Sequence, residues 1–360
     1  MPTSTSYMTT DATLLTIDLH AVVANWTLLG THHPSGPVGA VLKADGYGLG
    51  ANAVATALHD AGCRHFFVAH LAEALPLRPL LPGAMIAVLN GLWPGDAATY
   101  AAHDIAPVLG SLAEIDDWHG RAPALMHVET GMNRLGLDMD ALDALNARRR
   151  RGEWLYAMTH LRSAEQPDDP ANEMQRARFE RACVLLPAMA RSFANSSGIF
   201  LGPTFGSDLA RPGAALYGIN PQPSQANPMH PVVRLQARIL QVRDVSAGEA
   251  VGYNGAWIAP RPSRIATVSV GYADGYSRAL VGRGQARFDG HPVPLVGRVS
   301  MDLTTYDVTD LRATAGDWLE LIGPGHTVDD VASEAGTNGY EILTQLGHRY
   351  ARHLINGRTV

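Results

Sequence analysis

Residues 38–50 read VGAVLKADGYGLG, and no other stretch restricts the fold as much. Val38, Ala40, Val41 and Leu42 form an apolar run without polar alternation, as in a strand buried on both faces of a parallel sheet. The run ends on Lys43, and Ala44, Asp45, Gly46, Tyr47, Gly48 and Gly50 follow as a glycine-rich turn. Lys43 is therefore expected at the carboxyl end of a strand, where α/β folds gather their chemistry. A charged ammonium is costly to bury, so such a lysine is neutralised, paired or used covalently. It can also snorkel out of the strand end into solvent. The residues alone leave both readings open.

The chain beyond the lysine alternates. Residues 51–61 have helical spacing and 64–69 (RHFFVA) read as a strand, followed by a helix near 71–80. Further strands are expected at 85–89, 106–109, 124–129, 154–160, 191–195 and 214–217, with helical segments between them. With the lysine strand this makes an α/β pattern of eight strands, as in a (β/α)8 TIM-like barrel. A doubly wound sheet competes, but no G-x-G-x-x-G follows the first strand. Upstream, residues 15–29 carry helical spacing after Asp18, a candidate N-cap. Character changes near Asn220, where NPQPSQANPMHP forms a proline-rich connection. Beyond it helical alternation disappears, and 232–245, 264–270, 293–299, 304–308 and 318–321 read as short strands between glycine turns. The expected organisation is a barrel over 12–228 and a mostly-β C-terminal domain over 229–360, with residues 1–11 grouped with the latter.

Composition narrows the partners. With 28 basic and 34 acidic residues the net charge is −6, which gives no electrostatic reason to expect nucleic acid or an anionic membrane. No apolar run approaches the ~20 residues of a membrane helix, and the first residues lack the pattern of a secretory signal. Cys63 and Cys183 stand far apart, as suits a reducing compartment, so a cytoplasmic location is expected. No metal is expected, since neither Cys63 with His65 nor His32 with His33 has companions at zinc-like spacing. Arginines 148–151 read as a solvated helix end favoured by the helix dipole.

Several segments carry candidate chemistry. HVETGMNRLG (127–136) follows the fifth strand and holds Arg134, whose guanidinium fork suits a carboxylate. His160 ends the sixth strand, in MTHLRSA. FANSSG and RPGAALYG cover the seventh and eighth strand ends, the places where barrels bind phosphate with small residues and free amides. Asn195, Ser196, Gly213 and Ala214 have that chemistry, and Arg211 stands beside them. In the second domain, Tyr253, Tyr272, Met301 and Tyr340 lie in the segments EAVGYNGAW, GYADGYSR, SMDLTTYDV and TNGYEIL. Each tyrosine alone fits a half-buried strand aromatic equally well.

Taken together and in order, these segments resemble the bacterial alanine racemases, which depend on pyridoxal 5′-phosphate (PLP). The resemblance implies that Lys43 carries the cofactor covalently and that Tyr47 and Tyr340 touch its phosphate. It implies a phosphate cup of Asn195, Ser196, Gly213 and Ala214, with His160 beside the cofactor. Arg134 is placed near the cofactor's phenolic oxygen and the substrate carboxylate, which also meets the backbone amide of Met301. Arg211 is placed against the pyridine nitrogen. A guanidinium does not readily give up a proton, so the nitrogen stays unprotonated and the electron sink is weakened, which limits transamination. One departure is clear: His127 stands where the family often has a lysine that can be carbamylated to hold the arginine.

Racemisation needs a proton taken from one face of the α-carbon and one returned on the other, hence two bases. The resemblance gives those roles to Lys43 and Tyr253, with Tyr272 gating the entrance. It implies an isologous homodimer in which each site takes Tyr253, Tyr272 and Met301 from the partner. The implied activity is interconversion of L- and D-alanine, supplying D-alanine for peptidoglycan. The alternatives are a serine-type or broad-specificity racemase, a PLP-dependent amino-acid decarboxylase of the same architecture, and a non-catalytic PLP carrier.

Overall fold

The computed structural model describes residues 11–147 and 153–356. The arginine run at 148–151 and residues 1–10 lie outside them. The chain folds as two compact units. Leu19–His230 form one, and Pro231–Val360 form the other together with the start of the chain up to Asp18.

β1 (Thr13–Asp18) belongs to the second unit and leads into the helix Leu19–His32 of the first. The helix expected after Asp18 thus begins at Leu19, and the residues before it form a strand that was not expected. Residues 13–18 alternate between buried and half-buried positions, and that period of two is the signature of a strand. In the first unit β2 (Ala40–Val41), β3 (His65–Val68), β4 (Met85–Val88), β5 (Ala106–Leu109), β6 (Ala124–His127), β7 (Trp154–Met158) and β8 (Ala190–Ser192) pair in chain order. Every pairing is parallel. Helices such as Ala51–Asp60, Leu71–Leu77, Leu112–Trp118 and Pro170–Leu185 alternate with these strands. Phe66, Phe67, Ile86, Ala87, Leu125 and Met126 are fully buried, as their uninterrupted apolar runs require.

The eighth strand is not at 214–217. Ala214–Tyr217 form a 3-10 turn, and the two edges of the seven-stranded sheet are joined instead by Leu209 and Ala210. Leu209 bridges Ser192 and Ala210 bridges Val38, both parallel. The seam is sewn by Ala210 N–H to Pro37 O (3.1 Å), Gly39 N–H to Ala210 O (2.9 Å) and Leu209 N–H to Arg191 O (3.2 Å). The apolar AALY run resembles a strand in composition, but it follows Pro212, which has no N–H for a ladder. The first chain position past that break is Gly213, whose carbonyl closes the turn onto Leu216 N–H (2.9 Å).

The second unit is built on the long strand β9 (Val233–Val245). After it come β10 (Ala250–Val251), β11 (Trp257–Ile258), β12 (Ser263–Val268), β13 (Gln285–Phe288), β14 (His291–Val296), β15 (Thr304–Asp307), β16 (Trp318–Ile322) and β17 (Ala351–Ile355). The first half of β9 pairs with β1 and β16, and its second half turns to β12. The order β12-β15-β14-β13-β16-β9 therefore returns to β12, with β1 and β17 added at one side. Helical structure does not vanish here. Val328–Ala335 and Gly339–Gln345 are helices, opened by Thr327 and Asn338 as N-caps, and their shortness hid them from a search for long periodic segments.

Candidate active site

Lys43 stands one residue beyond β2, past Leu42, half-buried, at the start of an unusual turn. Ala44, Asp45 and Gly46 adopt φ/ψ of 55/49°, 53/49° and 63/47°, and Tyr47 follows with φ 55°. A run of left-handed residues costs ~1–2 kcal/mol for each non-glycine, so it needs external support. Glu73 supplies part of it: one carboxylate oxygen accepts Ala44 N–H (2.7 Å), the other accepts Ala69 N–H (2.7 Å) and His70 N–H (3.0 Å). Asp45 caps the next helix by accepting Ala51 N–H (2.8 Å). Burial and the Arg134 guanidinium hold the Lys43 ammonium below the usual lysine range, opposed in part by Glu73. A less basic amine is a better nucleophile near neutral pH.

The turn aims Tyr47 across the seam. Its ring stacks on Tyr217 (centroids 4.7 Å apart), and its hydroxyl lies where a Cβ of residue 213 would be. Only glycine fits there. Ser196 completes the cradle: its Oγ accepts Gly213 N–H (3.0 Å) and Ala215 N–H (3.2 Å), which frees the hydroxyl proton to donate outward. Asn195 shapes this loop, donating to Leu161 O (3.2 Å) and accepting Gly198 N–H (2.8 Å). The hydroxyls of Tyr47 and Ser196 flanking Gly213, with Ala214 next to it, fit a phosphate.

Arg211 is buried against the ends of β7 and β8. Its guanidinium donates to Ser192 Oγ (2.6 Å) and to Thr159 O, and burial lowers its pKa to about 10. Two imidazoles sit in the same positive field. Burial, then Arg211 and Arg134, push buried His127 down to about 4, against a smaller opposing effect of Glu129. Burial, then Arg211, Arg134, Lys43 and His127, hold His160 well below the ordinary histidine range. Both rings are neutral at pH 7, so neither adds a further positive charge to the site. Arg134 stands exposed on the hairpin after β6. Glu129 shapes that hairpin by accepting Asn133 N–H (2.9 Å) and Gly131 N–H.

The remaining expected residues lie in the other unit. Tyr253, Tyr272 and Met301 are 70%, 43% and 54% exposed. Tyr272 and Met301 are brought together by backbone bonds, Tyr272 N–H to Ser300 O and Ala273 N–H to Met301 O (both 3.0 Å). The Tyr272 loop is built firmly. Buried Asp274 accepts Gly271 N–H (2.9 Å) and pairs with Arg349 (3.0 Å), which also reaches Asp302 (2.8 Å). Arg278 lies over the Tyr272 ring, 5.9 Å from its centroid. Tyr253 instead follows Gly252 in a short loop in which Asn254 is left-handed. Tyr340, half-buried, is in the helix Gly339–Gln345. No cluster of potential metal ligands occurs among the described residues.

Sequence reasoning missed the carboxylates that hold the strand-end loops. Glu114 repeats the Glu73 device, accepting Leu92 N–H (3.0 Å) and Gly110 N–H (2.8 Å). The signal was present, since His70-x-x-Glu73 and Ser111-x-x-Glu114 have capping-box spacing.

An amine of lowered basicity at a barrel mouth, with a cradle that fits a phosphate joined to its turn and a fixed guanidinium, Arg211, in the same field, defines a class: lysine-bearing barrels that hold a phosphorylated carbonyl cofactor. The chain belongs to the alanine racemase family. The profiles "Alanine racemase, N-terminal domain" and "Alanine racemase, C-terminal domain" match residues 17–221 and 232–354. An alanine racemase of Acidiphilium cryptum is 57% identical over 94% of this chain and 97% of its own. The crystal structure of the Bartonella henselae alanine racemase, with covalently bound pyridoxal phosphate, is 43% identical with a TM-score of 0.92, covering 96% of this chain and all of that one. The biosynthetic alanine racemase of Pseudomonas aeruginosa is 35% identical with a TM-score of 0.90, covering 96% and 99%. The fold class is thus a TIM-like parallel α/β sheet followed by a mostly-β unit, and no described helix is long and apolar enough to cross a membrane.

Proposed function

We propose that this protein interconverts L- and D-alanine with PLP, by proton transfer between two bases. The observation that carries the reading is the junction of Lys43 and the cradle of Tyr47, Ser196, Gly213 and Ala214 in a chain of this family along nearly its whole length. When bound, PLP supplies an electron sink that spreads the negative charge left at the α-carbon. Lys43 would hold the cofactor through its amine, and the same amine would take a proton from the α-carbon of the D-isomer. Arg134 would receive the substrate carboxylate, and Arg211 would face the pyridine nitrogen as a cation. His160, a neutral imidazole, would lie beside the cofactor ring. Tyr340 is assigned to the cofactor phosphate.

For the second base we favour Tyr272 over Tyr253. Met301 N–H is the partner assigned to the substrate carboxylate, and Tyr272 and its neighbour Ala273 each donate one backbone bond to Ser300–Met301. A base must also be held to a fraction of an ångström. Tyr272 has that support from Asp274 and Arg349, whereas Tyr253 is 70% exposed on its loop. Tyr253 then lines the entrance. The exposed Tyr272, Met301, Ile258 and Leu303 favour a homodimer with sites shared between protomers. Two free cysteines fit the cytoplasm.

The test is to incubate PLP-loaded protein with L-alanine in deuterium oxide. D-alanine carrying an α-deuteron is expected; carbon dioxide release without it indicates a decarboxylase, and neither product removes both readings. Tyr272→Phe is expected to abolish exchange from L-alanine while Tyr253→Phe keeps most of it. The reverse order would restore Tyr253 as the base.

A further inference from the structure

Gln175 belongs to the helix Pro170–Leu185, and nothing in the chemistry above uses it. Its side chain is completely buried, yet every bond it makes goes to one of two loops at the strand ends. Nε2 donates to His160 O (2.9 Å) and to Thr130 Oγ1 (3.2 Å), and Oε1 accepts Arg162 N–H (3.0 Å). Thr130 Oγ1 meets Thr159 Oγ1 at 2.8 Å, and the carbonyl of Thr159 receives Arg211. Arg162 closes the circuit by donating to Gly131 O (2.9 Å). One amide thus connects the hairpin of Arg134 to the strand end of His160, and a further step reaches Arg211. The position demands a donor and an acceptor on one planar group, which no apolar or acidic side chain offers.

We propose that Gln175 is a positioning residue for the reaction: it sets the spacing between the Arg134 hairpin and the His160 strand end. Its catalytic consequence rests on the function proposed above, whereas its effect on the hairpin does not. Losing it lets the hairpin move relative to the cradle, so substrate carboxylate binding suffers while phosphate binding does not.

The experiment compares wild-type holoenzyme with Gln175→Leu. Amide exchange by mass spectrometry over 129–137 is expected to rise about tenfold, with 195–218 unchanged. KM for alanine is expected to rise about tenfold, with the PLP dissociation constant of the apoprotein unchanged. Unchanged exchange in 129–137 overturns the proposal. So does raised exchange with unaltered kinetics, because the role is then purely structural. If Gln175→Leu does not fold, Thr130→Val removes the hairpin end of the same link and is read in the same way. A wild-type protein that does not racemise alanine refutes the function proposed above, and the exchange measurement still decides whether Gln175 holds the hairpin.

Discussion

His127 and Gly213 show how single residues tune this site. The neutral His127 lies among guanidinia, so its effect on stability has a definite sign. On acidification the unfolded chain takes up a proton at an ordinary imidazole pKa of ~6.5, whereas the folded chain resists until about 4. Between those values the unfolded state binds more protons, so stability falls as the pH drops, by about 3 kcal/mol for this group. Urea midpoints measured from pH 7 to 4 are expected to decline, and His127→Asn should flatten the slope. A slope unchanged in the variant would mean that other groups carry the acid sensitivity. At Gly213 the added methyl of Gly213→Ala meets Tyr47 Oη. Displacing that hydroxyl removes one bond to a charged phosphate, roughly 1.5–3 kcal/mol. PLP affinity of the apoprotein, measured by fluorescence titration, is therefore expected to weaken about tenfold or more. Affinity equal to wild type would separate Tyr47 from the phosphate.

At the scale of elements, apolar continuity made most of the barrel legible. Seven strands lie where uninterrupted runs such as FFV, MIAV and APVL predicted them. The eighth was misplaced because two residues suffice to close a sheet whose edges already lie side by side, and two residues carry no periodicity. In the second unit β13, β17 and two short helices escaped for the same reason: their patterns are too brief. The site was legible as a set of loops after strands, yet not its internal supports. Asp274 and Gln175 are polar residues whose importance comes from what they hold, which spacing along the chain does not record, whereas Glu73 and Glu114 do carry a signal, their capping-box spacing. Asp274→Asn tests one support. It keeps the shape but loses the charge paired with Arg349, and a charge-assisted bond is stronger than a neutral one. A lowered melting temperature is expected, together with a KM rise larger than that of Tyr253→Phe. Unaltered KM would make the Asp274–Arg349 pair a matter of stability alone.

For the whole molecule the decisive question is whether one chain suffices. The candidate residues divide between the units, Lys43 to Ala214 in one and Tyr253 to Tyr340 in the other. In the proposed shared-site dimer, Lys43→Ala and Tyr272→Phe homodimers are each inactive. Mixed subunits pair at random, half of the dimers are hybrid and each hybrid has one intact site, so roughly a quarter of wild-type activity should return. No recovery after confirmed subunit exchange would mean that each chain completes its own site.

The turn that presents Lys43 has one more consequence. Ala44, Asp45 and Tyr47 are L-residues occupying the region of backbone space that D-residues prefer. The segment is a short mirror-image helix written in the wrong enantiomer and kept there by Glu73 and by the stack on Tyr217. Chemical ligation that places D-alanine at position 44 should therefore stabilise the fold, whereas β-branched L-residues there should weaken it.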